Sequence, residues 1–169
     1  MSDSPRSERL DAEVPDSRAH LDFADHQLND PAVAPWHGGA RSREQLEAML
    51  VAQAAQVAET GFGLWWWRDR ATGELVGYVG LNRDEVDGEP VVEVGWSIAP
   101  ARWGQGLAPE AAAVVLDWGF ERCGLKRIVS FTLPDNERSQ RVMEKLGLGY
   151  AREFERRGLP HLLYEIRHS

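Results

Sequence analysis

Cysteine is almost missing from this sequence, because Cys123 is the only one in 169 residues. A lone cysteine excludes an intramolecular disulfide and a metal site built from cysteine thiolates. The five histidines do not show the spacing that metal ligands usually have. The sequence therefore predicts a protein with neither an internal disulfide nor a bound metal.

Long apolar runs and an excess of basic charge are also missing. No stretch approaches the ~20 apolar residues that a membrane-spanning helix needs, and residues 1–8 lack the apolar core of a secretion signal. Acidic residues outnumber basic ones by 27 to 19, for a formal charge of −8. This charge argues against nonspecific nucleic-acid binding and is compatible with a cationic acceptor. We therefore expect a cytoplasmic protein that binds neither nucleic acid nor membrane.

Length and composition favour one folded domain. Hydrophobic residues make up 43% of the chain, which is usual for a globular protein, and the length suits a single core. Residues 1–18 are polar and include Pro5 and Pro15, a composition typical of loosely ordered segments. We predict a loosely ordered segment over residues 1–18 and a single domain over residues 19–169.

The remaining sequence divides into alternating helices and strands. Ser42 and Gln45 form a capping-box pattern, and apolar residues then recur at helical spacing until Gly61. Apolar and aromatic runs predict strands, with Asp87-Gly88 as a hairpin turn. The predicted helices cover 21–28, 42–59, 109–122 and 137–146, and the predicted strands cover 62–67, 75–81, 91–98, 127–132, 150–154 and 162–166, with a weaker strand at 10–14.

The order of these elements predicts the fold class. Antiparallel strands come first, and strands alternating with helices follow. This order predicts an α+β (mixed α/β) fold, in which a central twisted, mostly antiparallel mixed sheet of about six or seven strands carries helices on both faces.

A glycine-containing loop, Trp103-Gly104-Gln105-Gly106-Leu107-Ala108, lies between an apolar strand and a helix. Its glycines would let the backbone approach a ligand closely. The free amides and partial positive charge of the helix N-terminus would bind a pyrophosphate. An ordinary strand-to-helix turn explains the same pattern equally well. The loop has neither the Gly-Lys-Ser/Thr ending of a nucleoside-triphosphate loop nor the third glycine of a dinucleotide fingerprint.

A second block, Thr132-Leu133-Pro134-Asp135-Asn136-Glu137-Arg138-Ser139, precedes Val142-Met143-Glu144-Lys145-Leu146-Gly147. With the glycine loop, it resembles the GNAT acyltransferase superfamily, and most closely its RimJ/RimL-type ribosomal-protein N-acetyltransferase branch. The superfamily signature is Gln/Arg-x-x-Gly-x-Gly/Ala, and Trp103 stands in its first position here. The resemblance extends from about Ser42 to Ile166, and it implies a GNAT-like sheet.

The resemblance implies acetyl-CoA as the acyl-donor cosubstrate, without a metal. It also implies transfer of the acetyl group to a primary amine, on a protein N-terminus or a small molecule, by direct attack in a ternary complex. The oligomeric state stays open, with a homodimer as one alternative. The residues implied to bind the cosubstrate lie at a splay of strand 91–98, in the loop and in the second block: Trp96, Ser97, Ile98, Trp103, Gly104, Gln105, Gly106, Leu107, Ala108, Asn136 and Ser139.

Amine attack on a thioester needs a neutral amine, a donor to the oxyanion and a proton for the leaving thiolate. Glu93 is the candidate base, acting through water, because a carboxylate in an apolar strand is costly without a purpose. A solvated carboxylate on the outer face explains Glu93 equally well. The backbone N–H near Ile98 is the candidate oxyanion donor.

The thiol-protonating tyrosine of many GNAT enzymes is missing, because Met143 occupies its position. Ser139 fits the acid of the RimJ/RimL-type branch, although a first-turn serine often only bonds the backbone. The missing tyrosine keeps a noncatalytic acyl-CoA-binding or sensor domain as the alternative. Among the tryptophans, Trp36, Trp65 and Trp67 are candidates to line an acceptor pocket, with a core position as the simpler expectation.

Overall fold

The computed structural model describes residues 3–169, and within them seven strands form one mixed sheet in the order β1-β2-β3-β4-β5-β7-β6. Only the β4–β5 pair is parallel. The predicted fold class is confirmed. The strands are β1 Leu10–Glu13, β2 Leu64–Asp69, β3 Leu75–Val86, β4 Glu89–Ile98, β5 Arg127–Thr132, β6 Gly149–Arg156 and β7 Leu159–Arg167, and the helices are α1 Ser17–Leu28, α2 Arg43–Thr60, α3 Leu107–Asp117 and α4 Glu137–Lys145.

Three consecutive tryptophans in β2 show how the sheet is covered on both faces. Trp65, Trp66 and Trp67 are all fully buried, although successive side chains of a strand point to opposite faces. Trp65 and Trp67 pack in the cluster that contains α3, whereas Trp66 packs with residues of α1 and α2. Trp65 and Trp67 are therefore core residues and do not line an acceptor pocket.

Local sequence signals set the ends of the helices and the central hairpin. Ser42 and Gln45 form the predicted capping box of α2, and Gly61 ends that helix with φ +82°. Asp87 and Gly88 both have positive φ, +51° and +78°, as a type I′ turn requires. The helix predicted over 109–122 begins two residues earlier, at Leu107, and its last turn, Trp118–Arg122, is π-helical.

The structure corrects the prediction of loose order in the N-terminal segment, of which residues 1–2 lie outside the described part. Leu10–Glu13 forms β1, which pairs antiparallel with β2, and Leu10 is fully buried. Arg9 donates to the carboxylate of Glu110 on α3 at 2.7 Å and to the carbonyl of Gln105 at 2.9 Å. The polar composition of this segment did not indicate its order, because the order comes from hydrogen bonds to β2, which is distant in the sequence.

The parallel strands β4 and β5 are joined at a single register pair, Glu93 with Val129. Beyond this pair the Ser130 hydroxyl donates to the Val94 carbonyl at 2.9 Å, in place of a ladder bond. The two strands diverge from there toward Ile98 and Thr132. This divergence is the splay that the resemblance implied, and it opens the centre of the sheet.

Close approach of β2 and β3 makes Gly80 a sensitive position. A Cβ at Gly80 would lie 2.0 Å from the carbonyl oxygen of Gly63, whereas a Cβ at Gly149 meets nothing within 4 Å. We predict that Gly80→Ala lowers the free energy of unfolding by about 1–3 kcal/mol, the usual range for overpacking. Urea denaturation measures this, with Gly149→Ala as the matched control. Equal stability of the two variants would contradict the close approach.

Candidate active site

A cavity of about 800 Å³ occupies the splay between β4 and β5. Most of the residues predicted to bind the cosubstrate line it, namely Trp96, Ser97, Ile98, Trp103, Gly104, Gly106, Leu107, Ala108, Asn136 and Ser139. Gln105 is the exception. Its side chain accepts a hydrogen bond from Arg102 and its carbonyl accepts one from Arg9, so Gln105 braces the loop from outside the cavity.

The glycines of the loop have the conformation that the predicted role requires. Gly104 and Gly106 have φ of +78° and +75°, which side chains rarely adopt. Space beside Gly104 is open, with nothing within 4 Å of an added Cβ. Gly106 is the N-cap of α3 and offers no capping side chain, so the first amides of α3 at Leu107 and Ala108 are free of a side-chain cap. The loop therefore presents N–H groups and a helix N-terminus to an anion.

The last residues of β4 offer backbone groups to the cavity. The Ala99 N–H donates to the Val76 carbonyl at 2.9 Å, so Ile98 is in a non-hydrogen-bonded position opposite β3. Trp96 and Ile98 therefore direct their N–H and C=O groups away from β3, toward the splay. The Ile98 carbonyl accepts from the Trp103 indole at 2.7 Å, which leaves its N–H for a ligand.

This indole bond gives a structural reason for the unusual Trp103 in the signature. It ties the loop to the end of β4, and the Arg138 guanidinium lies 3.7 Å from the centre of the Trp103 ring. A cation above an aromatic face is attracted to it. Arg138 also lines the cavity, and sequence reasoning missed it because the contact joins the two distant blocks.

Glu93 borders the cavity at the point where the strands part. The bidentate ion pair between Asp84 and Arg156, with distances of 3.1 and 3.0 Å, is nearby. Burial and, to a smaller extent, the charge of Asp84 raise the pKa of Glu93 to about 8 against the opposing charge of Arg156. Glu93 keeps some exposed surface only because it faces the cavity. A solvated position on the outer face is therefore the wrong description of this carboxylate.

Ser139 lies in the first turn of α4 and borders the cavity. Its backbone N–H donates to the Asn136 side chain at 3.3 Å, so Asn136 is the N-cap of this helix. Met143, in the position of the family tyrosine, is 1% exposed and packs in the core. Ser139 is thus a hydroxyl that the second block brings to the cavity wall, together with Thr132 at the end of β5.

The opposite half of the cavity is lined by residues that the sequence did not single out, including His37, Arg41 and Tyr78. Burial and, to a smaller extent, the charge of Arg41 lower the pKa of His37 to about 4. Burial raises the pKa of Tyr78 to about 12. Trp36 also lines this half and is 38% exposed. No local motif marks these residues, because a helix connection and a strand bring them together.

None of the helices in residues 3–169 has both the length and the apolar character needed to cross a membrane. No group of three or more histidine, cysteine or acidic side chains is arranged to hold a metal ion in this part of the chain.

A mixed sheet that splays at a helix N-terminus defines a class of acyl-transfer fold, and comparison with known proteins identifies the family. The protein-family model described as an acetyltransferase (GNAT) domain matches residues 14–149 of this chain. YoaA of Bacillus subtilis, named an N-acetyltransferase, is 32% identical over 137 residues, which are 80% of this chain and 76% of YoaA. The chain therefore belongs to the GNAT acetyltransferase family, whose members use acetyl-CoA to acetylate amines.

Solved structures give the same fold. An acetyltransferase from Agrobacterium tumefaciens superposes with a TM-score of 0.85 and 26% identity, covering 99% of this chain and 96% of that one. RimL, a ribosomal L7/L12 α-N-protein acetyltransferase solved with coenzyme A, superposes with a TM-score of 0.79 over 96% of each chain. Its 16% identity shows a shared fold alone. The predicted likeness to the RimJ/RimL-type branch is confirmed at that level.

The buried carboxyl of Glu93 predicts an unusual dependence of stability on pH. The folded protein holds this proton up to about pH 8, whereas an ordinary glutamate releases it near pH 4.5. Unfolding between these values therefore releases a proton, and stability falls as pH rises, by about 1.4 kcal/mol per pH unit from this group.

We predict that Glu93→Gln gains stability relative to the wild type from pH 5 to about pH 8, above which the difference levels off, because glutamine has no proton to lose. Urea denaturation at several pH values measures this. Glu89→Gln, at the exposed start of the same strand, is the control and should show no such trend. A constant stability difference between Glu93→Gln and the wild type would argue against a raised pKa.

Proposed function

We propose that this protein transfers the acetyl group of acetyl-CoA to a primary amine, on a protein N-terminus or a small molecule, by direct attack in a ternary complex. One observation carries the proposal. Glu93, a carboxyl with a pKa of about 8, borders the splay cavity, which also contacts the loop amides and Ser139. A proton acceptor, an anion-binding loop and a hydroxyl donor thus share one enclosed space.

The donor half of the cavity suits coenzyme A in charge and in hydrogen bonding. The amides of Leu107 and Ala108 would bind its pyrophosphate at the N-terminus of α3. Trp96 would pair through its backbone with the amide-rich pantetheine arm, as an added strand does. The Ile98 N–H would donate to the thioester carbonyl and stabilise the oxyanion that forms during attack.

The hypothesis that Glu93 is the base rests on the similar pKa values of its carboxyl and of the amine substrate. A carboxyl with a pKa of about 8 is about one-tenth ionised at pH 7. Its proton affinity is close to that of an α-amine, whose pKa is near ~8. Transfer of a proton from the acceptor ammonium to Glu93, directly or through one water, is therefore nearly balanced in energy.

Proton balance at the leaving group is the remaining requirement. When the neutral amine nitrogen bonds to the acetyl carbon, the carbon–sulfur bond breaks, the nitrogen releases its extra proton to solvent, and the sulfur needs a proton. We assign this proton to the Ser139 hydroxyl, which would be reprotonated from solvent. Met143 has no exchangeable proton, so it cannot replace the family tyrosine.

A noncatalytic acyl-CoA sensor is the second candidate function, favoured by Met143 alone. Thiol release from acetyl-CoA separates the two functions when it is measured against a panel of amines and peptide N-termini. Amine-dependent release supports the transferase. Tight acetyl-CoA binding by calorimetry, with no release for any amine in the panel, would establish the sensor instead.

The first kinetic prediction concerns Glu93. Glu93→Gln keeps the shape of the side chain but removes the proton acceptor, so kcat/KM at neutral pH should fall while acetyl-CoA affinity stays the same. The ratio of wild-type to variant kcat/KM should fall above about pH 8, because the amine there loses its proton without help from Glu93. A ratio independent of pH would exclude Glu93 as the base.

The second kinetic prediction concerns Ser139. Ser139→Ala should lower kcat by roughly 10- to 100-fold, in the lower range of general-acid effects, with little change in acetyl-CoA affinity. Ser139→Thr keeps a hydroxyl and is the matched control. Wild-type kcat in the alanine variant would leave Ser139 with a structural role only.

A further inference from the structure

The charge of the cavity wall is opposite to the charge of the protein. The chain has a formal charge of −8, yet the only acidic residues lining the cavity, within residues 3–169, are Asp84 and Glu93. The basic residues that line it are more numerous, namely Arg41, Arg102, Arg138, Arg141, Lys145, Arg156 and Arg157. A wall of this sign attracts anionic ligands.

Part of this positive charge belongs to the donor half. Arg138, Arg141 and Lys145 all lie on α4, at spacings of three and four residues that share a helix face. Arg102 pairs with Asp69 at 2.6 Å. The phosphates of coenzyme A, in the function proposed above, account for the α4 cations. They do not account for the guanidinium groups on the opposite half.

Two guanidinium groups in the acceptor half have no acidic partner among the described residues. Arg156 is matched by Asp84, but Arg41 donates to the His37 carbonyl at 3.0 Å and contacts the Met49 sulfur. Both of these partners are uncharged. The remaining guanidinium belongs to Arg157, for which residues 3–169 provide no carboxylate within ion-pair distance.

Arg157 and Arg41 approach the cavity from facing walls. Arg157 lies at the tip of the β6–β7 hairpin with φ of +53°, and its guanidinium reaches to 3.6 Å from a Cβ placed on Gly38. Gly38 lies three residues before Arg41 in the connection from α1 to α2. The hairpin tip therefore meets this connection over the acceptor half, and both guanidinium groups border the cavity.

The position of Tyr78 links these cations to the proposed base. Its hydroxyl lies within electrostatic reach of both Arg41 and Glu93. Glu93, Tyr78 and Arg41 line one cavity of about 800 Å³, which is the space that an acceptor would occupy. His37 adds no competing charge, because burial and Arg41 keep its pKa near 4.

We infer that the acceptor is a small amine that also carries an anionic group, a carboxylate or a phosphate, which Arg41 and Arg157 bind while the amine lies at Glu93. Arginine matches both anions through paired N–H donors. An acceptor with several positive charges, such as a polyamine or a lysine-rich peptide, would instead meet unpaired guanidinium groups. This inference rests on the proposed transferase function.

Matched acceptors test the inference by thiol release from acetyl-CoA. Leucine is compared with leucinamide, and phosphoethanolamine with ethanolamine, so that each pair differs in the anion. Loss of the carboxylate lowers the pKa of the neighbouring amine and makes leucinamide the more available nucleophile. A higher kcat/KM for leucine or for phosphoethanolamine than for its partner thus reports recognition of the anion, and the preferred pair tells carboxylate from phosphate.

Variants locate the recognition. Arg41→Gln and Arg157→Gln should each lower kcat/KM for the anionic acceptor by at least tenfold, mainly by raising KM. Neither variant should lower kcat/KM for the neutral acceptor of the same pair to a comparable extent. Arg41→Lys should recover part of the loss, since it keeps the charge. Arg152→Gln, on the same hairpin but paired with Asp87, is the control. Preference for the neutral acceptors, or equal losses on both members of a pair, would overturn the inference.

A binding measurement keeps this test separate from the test of activity. Calorimetry of the four small molecules with the coenzyme A-bound protein needs no turnover. The wild type could bind leucine or phosphoethanolamine, and Arg157→Gln could abolish that binding, while no thiol is released. This result would refute the transferase and retain the anion site. Thiol release with the neutral amines alone would support the transferase and refute the anion site.

Discussion

The single register pair between β4 and β5 is the constraint on which the rest of the site depends. Parallel strands normally continue their ladder, but here Ser130 takes the Val94 carbonyl and the strands part. Each β4 residue beyond Glu93 that faces the splay then has backbone groups without a strand partner. Such groups are costly when buried, and a cavity in the sheet lets a ligand or water satisfy them.

Side chains from distant parts of the chain hold this opening in shape. The Gln27 amide of α1 donates to both the carbonyl and the hydroxyl of Ser97, each at 2.9 Å. The Trp103 indole bonds Ile98 on the other side. Arg9, just before β1, ties Gln105 to Glu110. The loop and the end of β4 are therefore bonded to each other and held by two distant segments, α1 and the residues before β1, which favours a preformed site.

Electrostatics distinguishes the cavity from the rest of the protein surface. Basic residues face it although the protein is acidic overall, so the remaining surface carries the excess negative charge. Glu93 lies between the halves, where burial favours its neutral form. A carboxyl that exchanges its proton near neutral pH is useful only where an amine must lose one, and the splay is where an acyl group and an amine would meet.

The sequence by itself determined the elements and the fold class and predicted the residues of the proposed donor half, because their signals are local. Ser42, Gly61, Asp87-Gly88 and the glycine loop specify their own backbone conformations, and apolar periodicity specifies which faces are buried. Tertiary structure alone decided that the weakly predicted β1 pairs with β2, that Glu93 faces a cavity, and that Arg157 reaches Gly38 on the segment that carries Arg41. These outcomes depend on pairing and burial between residues far apart in the chain, which no local pattern encodes.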